Sequence, residues 1–412
     1  MGTQDQRTAA PIFVVGSPRS GTSILTWCLG QHPNILPTEE SAWLGLFAAQ
    51  AAAHHRVGCL RGERSQLSAL GIDRAEFLQA LGNAIDTLIC GHRKTLEVLN
   101  HAAAQRNPGQ VCAEFAVARG DAEPKARWVD GTPEYSLHIC GLHKLFPAAK
   151  FIHIVRDPDE VVASMLAFHH DDGSPLVVDA DEAYAYWERT SRACLLAAQA
   201  LGAESVFRLR HADLVARPEA ALRAVFDFLG EAFAPDCVAP LARRINSSFT
   251  DDQAVRIDTP KPSAAALRAR QLLEELEPPV GAVRADALAP FENSFATQIK
   301  FQTTVEAQLR AACECNGELQ ASAAAAETAC AAEHERNIKL RFMLDWCGIL
   351  ICVPCAFAVA LYAFGADGNA TAVVPALATT ALFAYAWLRR AGVRRLLERL
   401  LPAKPEIERS MR

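Results

Sequence analysis

The chain lacks an excess of positive charge. Among its 412 residues, 41 lysines and arginines stand against 47 aspartates and glutamates, which gives a formal net charge of -6. A protein that binds nucleic acid over its surface normally has a strongly basic domain. We therefore expect no nucleic-acid partner, and any phosphate that the protein binds should be held by a few local cations.

The thirteen cysteines lack the regular spacing of a disulfide framework. An odd number of scattered cysteines is typical of reduced thiols in a cytosol-like compartment. Cys352 and Cys355 form a C-x-x-C pair, but the pair lies in an apolar run with no second pair of ligands, so we predict no metal site. The first ten residues contain no apolar h-region, and we expect no signal peptide.

Long apolar runs are confined to the C-terminal part of the chain. Residues 342–364 and 370–388 are each long enough to cross a hydrocarbon core of about 30 Å. Lysines and arginines flank the pair on both outer sides, which places both flanks in the cytoplasm by the positive-inside rule. We predict a transmembrane hairpin with a basic tail at 389–412, and with the N-terminal domain and both termini cytoplasmic. Asp345 and Pro354 leave a buried or interfacial helical hairpin as the alternative.

The segment before the first apolar run is rich in alanine. Residues 302–340 place mostly small or apolar residues at intervals of three and four, which predicts one long helix within a linker at 291–341. Such a seam is compatible with a coiled coil that joins two copies of the chain, and equally with a single helix packed on its own domain. The sequence does not decide between the coiled coil and the single helix.

Three short apolar runs, 12–15, 150–155 and 205–209, predict buried strands, and each is followed by a helical pattern. Strands that alternate with helices predict an α/β fold, with a central parallel sheet between helical layers as in P-loop proteins. Residues 41–110 have a helical pattern without a strand signal, which we interpret as a helical insertion over the active site. We assign this whole domain to residues 1–290.

The loop after the first strand lacks the lysine of an ATP- or GTP-binding P-loop. Residues 16–23 read GSPRSGTS, and Thr22 stands where the lysine of G-x-x-x-x-G-K-[ST] belongs. Glycines let such a loop approach an anion closely, and hydroxyl groups donate to it. The cation of this loop is Arg19. Without the lysine, the loop lacks the main charge that faces a triphosphate, which argues against a kinase or NTPase.

The strand at 150–155 also lacks the acidic residue that binds Mg²⁺ in many NTPases. It ends at Arg156, a planar cation suited to bidentate contact with phosphate, and Ser164 follows two helical turns later. The two motifs predict two separate anion sites without a metal. An adenosine with a phosphate on its 3′ oxygen and another anionic group on its 5′ oxygen fits both.

Three segments resemble the sulfotransferases that use 3′-phosphoadenosine-5′-phosphosulfate (PAPS). VVGSPRSGTS resembles their 5′-phosphosulfate loop, FIHIVRDPDEVVASM their 3′-phosphate strand and helix, and RLRHADLVARPEAALRAVFDFLG their later strand, turn and helix. The matches occur in the family's order and together span residues 11–230. The resemblance implies sulfuryl transfer from PAPS to an acceptor hydroxyl, without a metal. The predicted hairpin would favour a membrane-proximal, lipid-linked or glycan acceptor, and the segment 302–340 a homodimer.

The loop is similar to the branch that has arginine there, which includes the protein-tyrosine sulfotransferases and many bacterial enzymes. This similarity implies that Arg19 contacts the transferred sulfonate, that Arg156 and Ser164 bind the 3′ phosphate, and that the 5′ phosphosulfate contacts Ser17, Pro18, Arg19, Ser20, Gly21, Thr22 and Ser23. HPNILPTEES resembles the segment whose second glutamate is the catalytic base, which is Glu40 here. Glu39 is the alternative, and so is a pair of solvated glutamates that cap the next helix.

One position departs from the family pattern. Many relatives have Lys-Thr-Pro before the strand that binds the 3′ phosphate, whereas WVDGTPEY has Gly131 in place of the lysine. Lys144, Arg127 or Lys261 is a candidate for the second cation, and His169 and His170 are candidates for an approach to either ligand. Gly131 also favours the main rival of another class, a non-catalytic membrane scaffold that keeps a nucleotide-binding fold.

Overall fold

The structure is a computed structural model that describes residues 9–91, 125–170, 172–242 and 262–367, together with residues 378–379, 382 and 385–386. Five strands form one sheet: β1 (Ile12–Val15), β2 (Ile35–Pro37), β3 (Arg127–Asp130), β4 (Lys150–Val155) and β5 (Val206–Arg210). Their order is β2-β3-β1-β4-β5, and every neighbouring pair is parallel. The predicted α/β fold with a central parallel sheet is therefore confirmed.

Eleven α-helices lie between and after these strands in the described ranges. They are α1 (Thr22–Gly30), α2 (Trp43–Gly58), α3 (Gln66–Ala69), α4 (Arg74–Gly91), α5 (Ile139–Leu145), α6 (Pro158–Leu166), α7 (Ala180–Leu201), α8 (His211–Ala216), α9 (Pro218–Leu229), α10 (Ala264–Glu275) and α11 (Ala285–Asp367). A 3-10 helix, Pro133–Leu137, joins β3 to α5. Helices α2 to α4 fall in the predicted helical insertion, whose residues 92–110 lie outside the described part.

The strands are buried because both faces of the sheet are covered. In β1, Phe13 and Val15 contribute to one hydrophobic core, while Ile12 and Val14 contribute to the core on the opposite face. Strands covered on both faces form nearly continuous apolar runs, which is why β1 and β4 are visible in the sequence. Since all strands run parallel, their carboxyl ends meet at one edge of the sheet, where ligands bind in open α/β folds.

Phe13 anchors the core beneath this edge. Its ring is fully buried and lies 5.4 Å from that of Phe151 and 5.5 Å from that of Trp128, measured between centroids. We expect Phe13→Ala to lower the free energy of unfolding by roughly 3–5 kcal/mol, because the cavity adds to the lost burial. Denaturant titration checks this, with the exposed Phe301→Ala as control, for which a change under about 0.5 kcal/mol is expected.

The chain divides into two compact units, Met1–Ala307 and Gln308–Arg412. Residues 302–340 and 342–364 lie within α11. No helix in the described ranges is both long and apolar enough to cross a membrane, so the predicted transmembrane hairpin has no support. Most of its second arm, 370–388, lies outside the described residues, as does the tail at 389–412. The cytoplasmic location and the homodimer stay predictions from the sequence.

Candidate active site

The loop between β1 and α1 curls back over the end of the sheet. Arg19 has a φ of 68°, and in the described part of the chain it is the one residue other than glycine with a positive φ. Gly21 has a φ of 99°, and a Cβ there would lie 2.8 Å from the His211 ring. A strained non-glycine residue is typical of functional sites, where surrounding contacts hold it in place. The loop is thus shaped to present Arg19.

Two hydroxyl groups lie buried in this loop. Ser17 and Ser20 are each about 1% exposed, and neither Oγ atom has a hydrogen-bond partner among the described residues. Buried polar groups are nearly always paired, so these donors fit an anion that supplies the acceptor oxygens. Pro18 lies between them, and Thr22 begins α1, whose N-terminal N–H groups and dipole also favour an anion.

Arg19 connects the loop with the helix that follows β4. Its Nε donates to the Ser164 Oγ at 3.2 Å, and its guanidinium lies 4.7 Å from the centroid of the Phe168 ring. Burial lowers the pKa of Arg19, and the nearby charge of Arg156 lowers it further, while Glu40 opposes the shift. Two cations in one partly buried site favour an anion between them.

Arg156 leaves the end of β4 and reaches toward the loop. One of its Nη atoms donates to the Arg19 carbonyl at 3.1 Å, and its Nε pairs with Glu160 at 2.8 Å. Asp157, next to Arg156 in the chain, instead caps α6 by accepting from two backbone N–H groups. The structure therefore brings Arg19 together with Arg156 and Ser164, which lie 137 and 145 positions later in the sequence.

A cavity of about 430 Å³ opens beside Arg156 at the ends of β4 and β5, and His211 contributes to its lining. This volume is within the range of small-molecule sites. Burial, with the nearby charge of Arg156, lowers the pKa of His211 to about 4, so the imidazole is neutral at neutral pH. His211 was not among the residues predicted from the sequence. Its position directly after β5 could have indicated it, because residues that follow parallel strands meet at the edge of the sheet where ligands bind.

Glu40 follows β2 and lies beside the start of α1. Ser23 of α1 donates to the Glu40 carboxylate at 2.8 Å. The residue keeps an exposed face, but protein atoms around the carboxyl group displace water and raise its pKa. The neighbouring charges of Glu134 and Glu39 raise it further, whereas the Ser23 hydrogen bond and Arg19 lower it. A carboxylate with a raised pKa is a stronger base, as general-base catalysis requires.

Gly131 is a position where a side chain would be crowded. A Cβ there would lie 2.1 Å from the Thr26 Oγ1, so the lysine of the family pattern could be placed here only if Thr26 shifted. Asp130, just before it, is buried, and burial raises its pKa to about 7 in spite of two hydrogen bonds from Thr132. Asp130 and Thr132 were not predicted as part of the site. Both residues flank Gly131, where the sequence departs from the family pattern, and this position could have indicated them.

Two of the three predicted substitutes for the missing lysine, Lys144 and Arg127, have their partners away from the loop. Lys144 pairs with Glu292 at 2.7 Å, while Arg127 lies at the amino end of β3 and binds backbone carbonyls there. Lys261 lies outside the described residues. His169 and His170 lie in a short bridged turn after Phe168. In the described ranges, no three His, Cys, Asp or Glu side chains are grouped to hold a metal ion.

Comparison with known proteins identifies a family by a model that matches more than half of the chain. The model of the sulfotransferase family matches residues 11–235. Nodulation protein NoeE of Sinorhizobium fredii is 30% identical over 156 residues, which are 37% of this chain and 30% of that protein. Protein-tyrosine sulfotransferase A of Caenorhabditis elegans is 24% identical over 223 residues, 54% of this chain and 50% of that protein. The chain thus spans half or less of the length of these curated relatives.

Solved sulfotransferase domains have a distant likeness to the chain. The domain of the Synechococcus PCC 7002 olefin synthase has a TM-score of 0.37 and 22% identity, with 66% of this chain and 96% of that domain covered. The domain from the curacin biosynthetic pathway has a TM-score of 0.38 and 18% identity, with coverage of 68% and 100%. At TM-scores this low, the likeness assigns no residue of the site.

Proposed function

Because the chain belongs to the sulfotransferase family, we propose that it transfers a sulfuryl group from PAPS to the hydroxyl group of an acceptor. The observation that carries the proposal is the meeting of two anion-binding motifs at one edge of the sheet. Arg19 of the loop bonds to Ser164 of α6 and accepts a bond from Arg156. In this proposal, a ligand that is anionic at both its 5′ and its 3′ position would be met by cations at both ends.

The chain's own residues fit the donor. The buried hydroxyls of Ser17 and Ser20, with the first N–H groups of α1, would hold the 5′ phosphosulfate, and Arg156 with Ser164 would hold the 3′ phosphate. PAPS supplies the activated sulfuryl group. Since sulfuryl transfer resembles phosphoryl transfer, we expect catalysis to rest on positioning and on stabilisation of charge.

Three side chains carry the chemistry in this proposal. Glu40 takes the proton from the acceptor hydroxyl, whose oxygen then bonds to sulfur as the bond from sulfur to the phosphate oxygen breaks. Arg19 stabilises the negative charge that develops on the transferred group and the leaving phosphate. Ser23 donates to the Glu40 carboxylate and thereby keeps the base beside the loop. The raised pKa of Glu40 makes its carboxylate a stronger base, so it can take the acceptor's proton while it also accepts from Ser23.

The acceptor is proposed only as a hydroxyl compound. A lipid-linked or membrane-proximal acceptor was expected because of the transmembrane hairpin, and without a spanning helix among the described residues it is not part of the proposal. The alternative of a non-catalytic scaffold is supported by Gly131, where the family pattern has lysine. The alternative of a kinase or NTPase is disfavoured by Thr22, which stands in place of the P-loop lysine.

Binding of nucleotides separates these functions. We expect 3′,5′-adenosine diphosphate to raise the melting temperature, since a ligand at 100 times its Kd adds about 2.7 kcal/mol to the stability of the folded state. ATP with Mg²⁺ should give no comparable shift, because the loop has no lysine for the terminal phosphates. Differential scanning fluorimetry measures both. Protection by ATP with Mg²⁺ alone would favour a kinase or NTPase, and protection by neither would overturn nucleotide binding.

A further inference from the structure

The chain segment that carries Glu40 runs alongside the end of β3. Thr38 extends the pairing of β2 with β3, because its N–H and its hydroxyl both donate to the Val129 carbonyl, at 2.9 and 3.1 Å. Beyond Thr38 the ladder ends, and Glu40 lies in the stretch between the sheet and α2. In such a stretch, side chains must supply the restraint that a strand or a helix would otherwise give.

Two buried side chains supply this restraint at Ser41, the residue directly after Glu40. The Ser41 N–H donates to the Thr132 Oγ1 at 2.7 Å, and the Ser41 carbonyl accepts from the Tyr135 hydroxyl. The same hydroxyl accepts from the Leu44 N–H at 3.3 Å, in the first turn of α2. Thr132 is 3% exposed and Tyr135 is fully buried, so water does not compete for these bonds.

Asp130 orients Thr132. Its Oδ1 accepts from the Thr132 hydroxyl at 2.6 Å and from the Thr132 N–H at 2.9 Å. A threonine hydroxyl has one hydrogen and two lone pairs. With the hydrogen directed at Asp130, the lone pairs of Oγ1 are left to accept from the Ser41 N–H. The second contact of this hydroxyl, with the Ser41 carbonyl, is longer at 3.3 Å, and that carbonyl already has the Tyr135 hydroxyl as its donor.

We propose that Thr132 and Tyr135 are positioning residues for Glu40, and that Asp130 acts through Thr132. They hold the backbone of Ser41, directly after Glu40, at its N–H and at its carbonyl, while Ser23 holds the Glu40 carboxylate itself. The proposal rests on the proposed role of Glu40 as the base. A base that is displaced by about 1 Å can lose roughly 10²-fold in rate, so loss of one bond to Ser41 should be measurable in turnover.

The first test compares two changes at Thr132. Thr132→Val keeps the shape of the side chain but removes the hydroxyl, and we expect kcat to fall by roughly 10-fold or more while KM for PAPS stays within about twofold. Thr132→Ser keeps the hydroxyl and should keep most of the turnover. Thr190→Val, which removes an equally buried hydroxyl bonded to backbone carbonyls of α7, is the matched control and should leave kcat unchanged.

The second test is a double-mutant cycle with Glu40→Gln. If Thr132 acts through Glu40, Thr132→Val should cost less than about twofold in the Glu40→Gln background, because effects of residues that act as a unit are not additive. Tyr135→Phe, which removes the other bond to Ser41, should behave in the same way. Thermal unfolding of each variant shows whether it folds. If either Thr132→Val or Tyr135→Phe fails to fold, the other is used for the cycle.

The outcomes separate the two proposals. A large loss in Glu40→Gln without any loss in Thr132→Val or Tyr135→Phe overturns the positioning role alone. Equal losses from Thr132→Val with and without Glu40 also overturn it, because the hydroxyl then acts independently of the base. Unchanged turnover in Glu40→Gln overturns the assignment of the base, and the positioning role with it.

Discussion

Arg19→Ala should lower kcat by roughly 10²- to 10³-fold, which is the usual effect of removing one preorganised donor from a developing negative charge. The structure supports this size of effect because the loop is built around Arg19. Its backbone has a φ of 68°, its Nε bonds to Ser164, and its guanidinium lies over Phe168. Such contacts fix the cation before the reaction, so no reorganisation is needed when charge develops.

Arg19→Lys distinguishes charge from geometry. A lysine keeps the positive charge but loses the planar guanidinium and the donor to Ser164, so we expect it to restore only part of the lost turnover. The affinity for 3′,5′-adenosine diphosphate should fall less than kcat in both variants, since this product keeps the phosphate that Arg19 is proposed to stabilise but lacks the sulfonate. Steady-state kinetics and calorimetry of the bound product give the two readouts.

Arg223→Ala is the matched control for Arg19→Ala. Arg223 also lies over a phenylalanine ring, with 4.0 Å to the centroid of Phe233, and it pairs with Glu219 on α9, away from the loop. Its removal should leave kcat unchanged. If Arg19→Ala retained kcat within about threefold of the wild type, Arg19 would not stabilise the transition state.

The strands that could be predicted are the ones with at least four residues, most of them apolar. The bounds of β1 and β4 agree with the prediction, and β5 is displaced by one residue from it, to 206–210. By contrast, β2 and β3 were missed. They have three and four residues, and β3 reads Arg-Trp-Val-Asp, so both of its ends are charged. A strand this short is recognised by its partners in the sheet rather than by its own composition.

The same distinction applies to the site. Arg19, Arg156 and Ser164 follow strands in the sequence, and a parallel sheet brings such positions to one edge. The surroundings of Glu40 depend instead on register, because β1 and β3 pair with Phe13 opposite Asp130. That register places Thr132 against Ser41, and it sets Gly131 so close to Thr26 that a side chain at 131 would require Thr26 to shift. These contacts join residues about 90 positions apart, and nothing in the local sequence indicates them.

Glu40→Gln should lower kcat by roughly 10²- to 10⁴-fold, which is the range for loss of a general base. Glutamine keeps the oxygen that accepts from Ser23, so the side chain should stay in place while it loses the ability to take a proton. In the wild type, kcat should rise with pH as Glu40 ionises, at a pH above the usual range of a glutamate, because burial raises its pKa. This rising limb should disappear in Glu40→Gln.

Stability should respond to Glu40→Gln in the opposite direction from activity. Because the pKa of Glu40 is raised in the folded state, its contribution to stability is present below the pKa of the unfolded chain and is lost as the pH rises through the folded value. At neutral pH the ionised carboxylate therefore opposes folding, and the uncharged glutamine should leave the melting temperature unchanged or raise it.

Glu39→Gln is the control from the adjacent position. Its kcat should fall less than about threefold, because Glu39 is exposed and takes no part in the proposed chemistry. A larger loss in Glu39→Gln than in Glu40→Gln would transfer the role of base to Glu39, and full turnover in both variants would exclude both glutamates as the base.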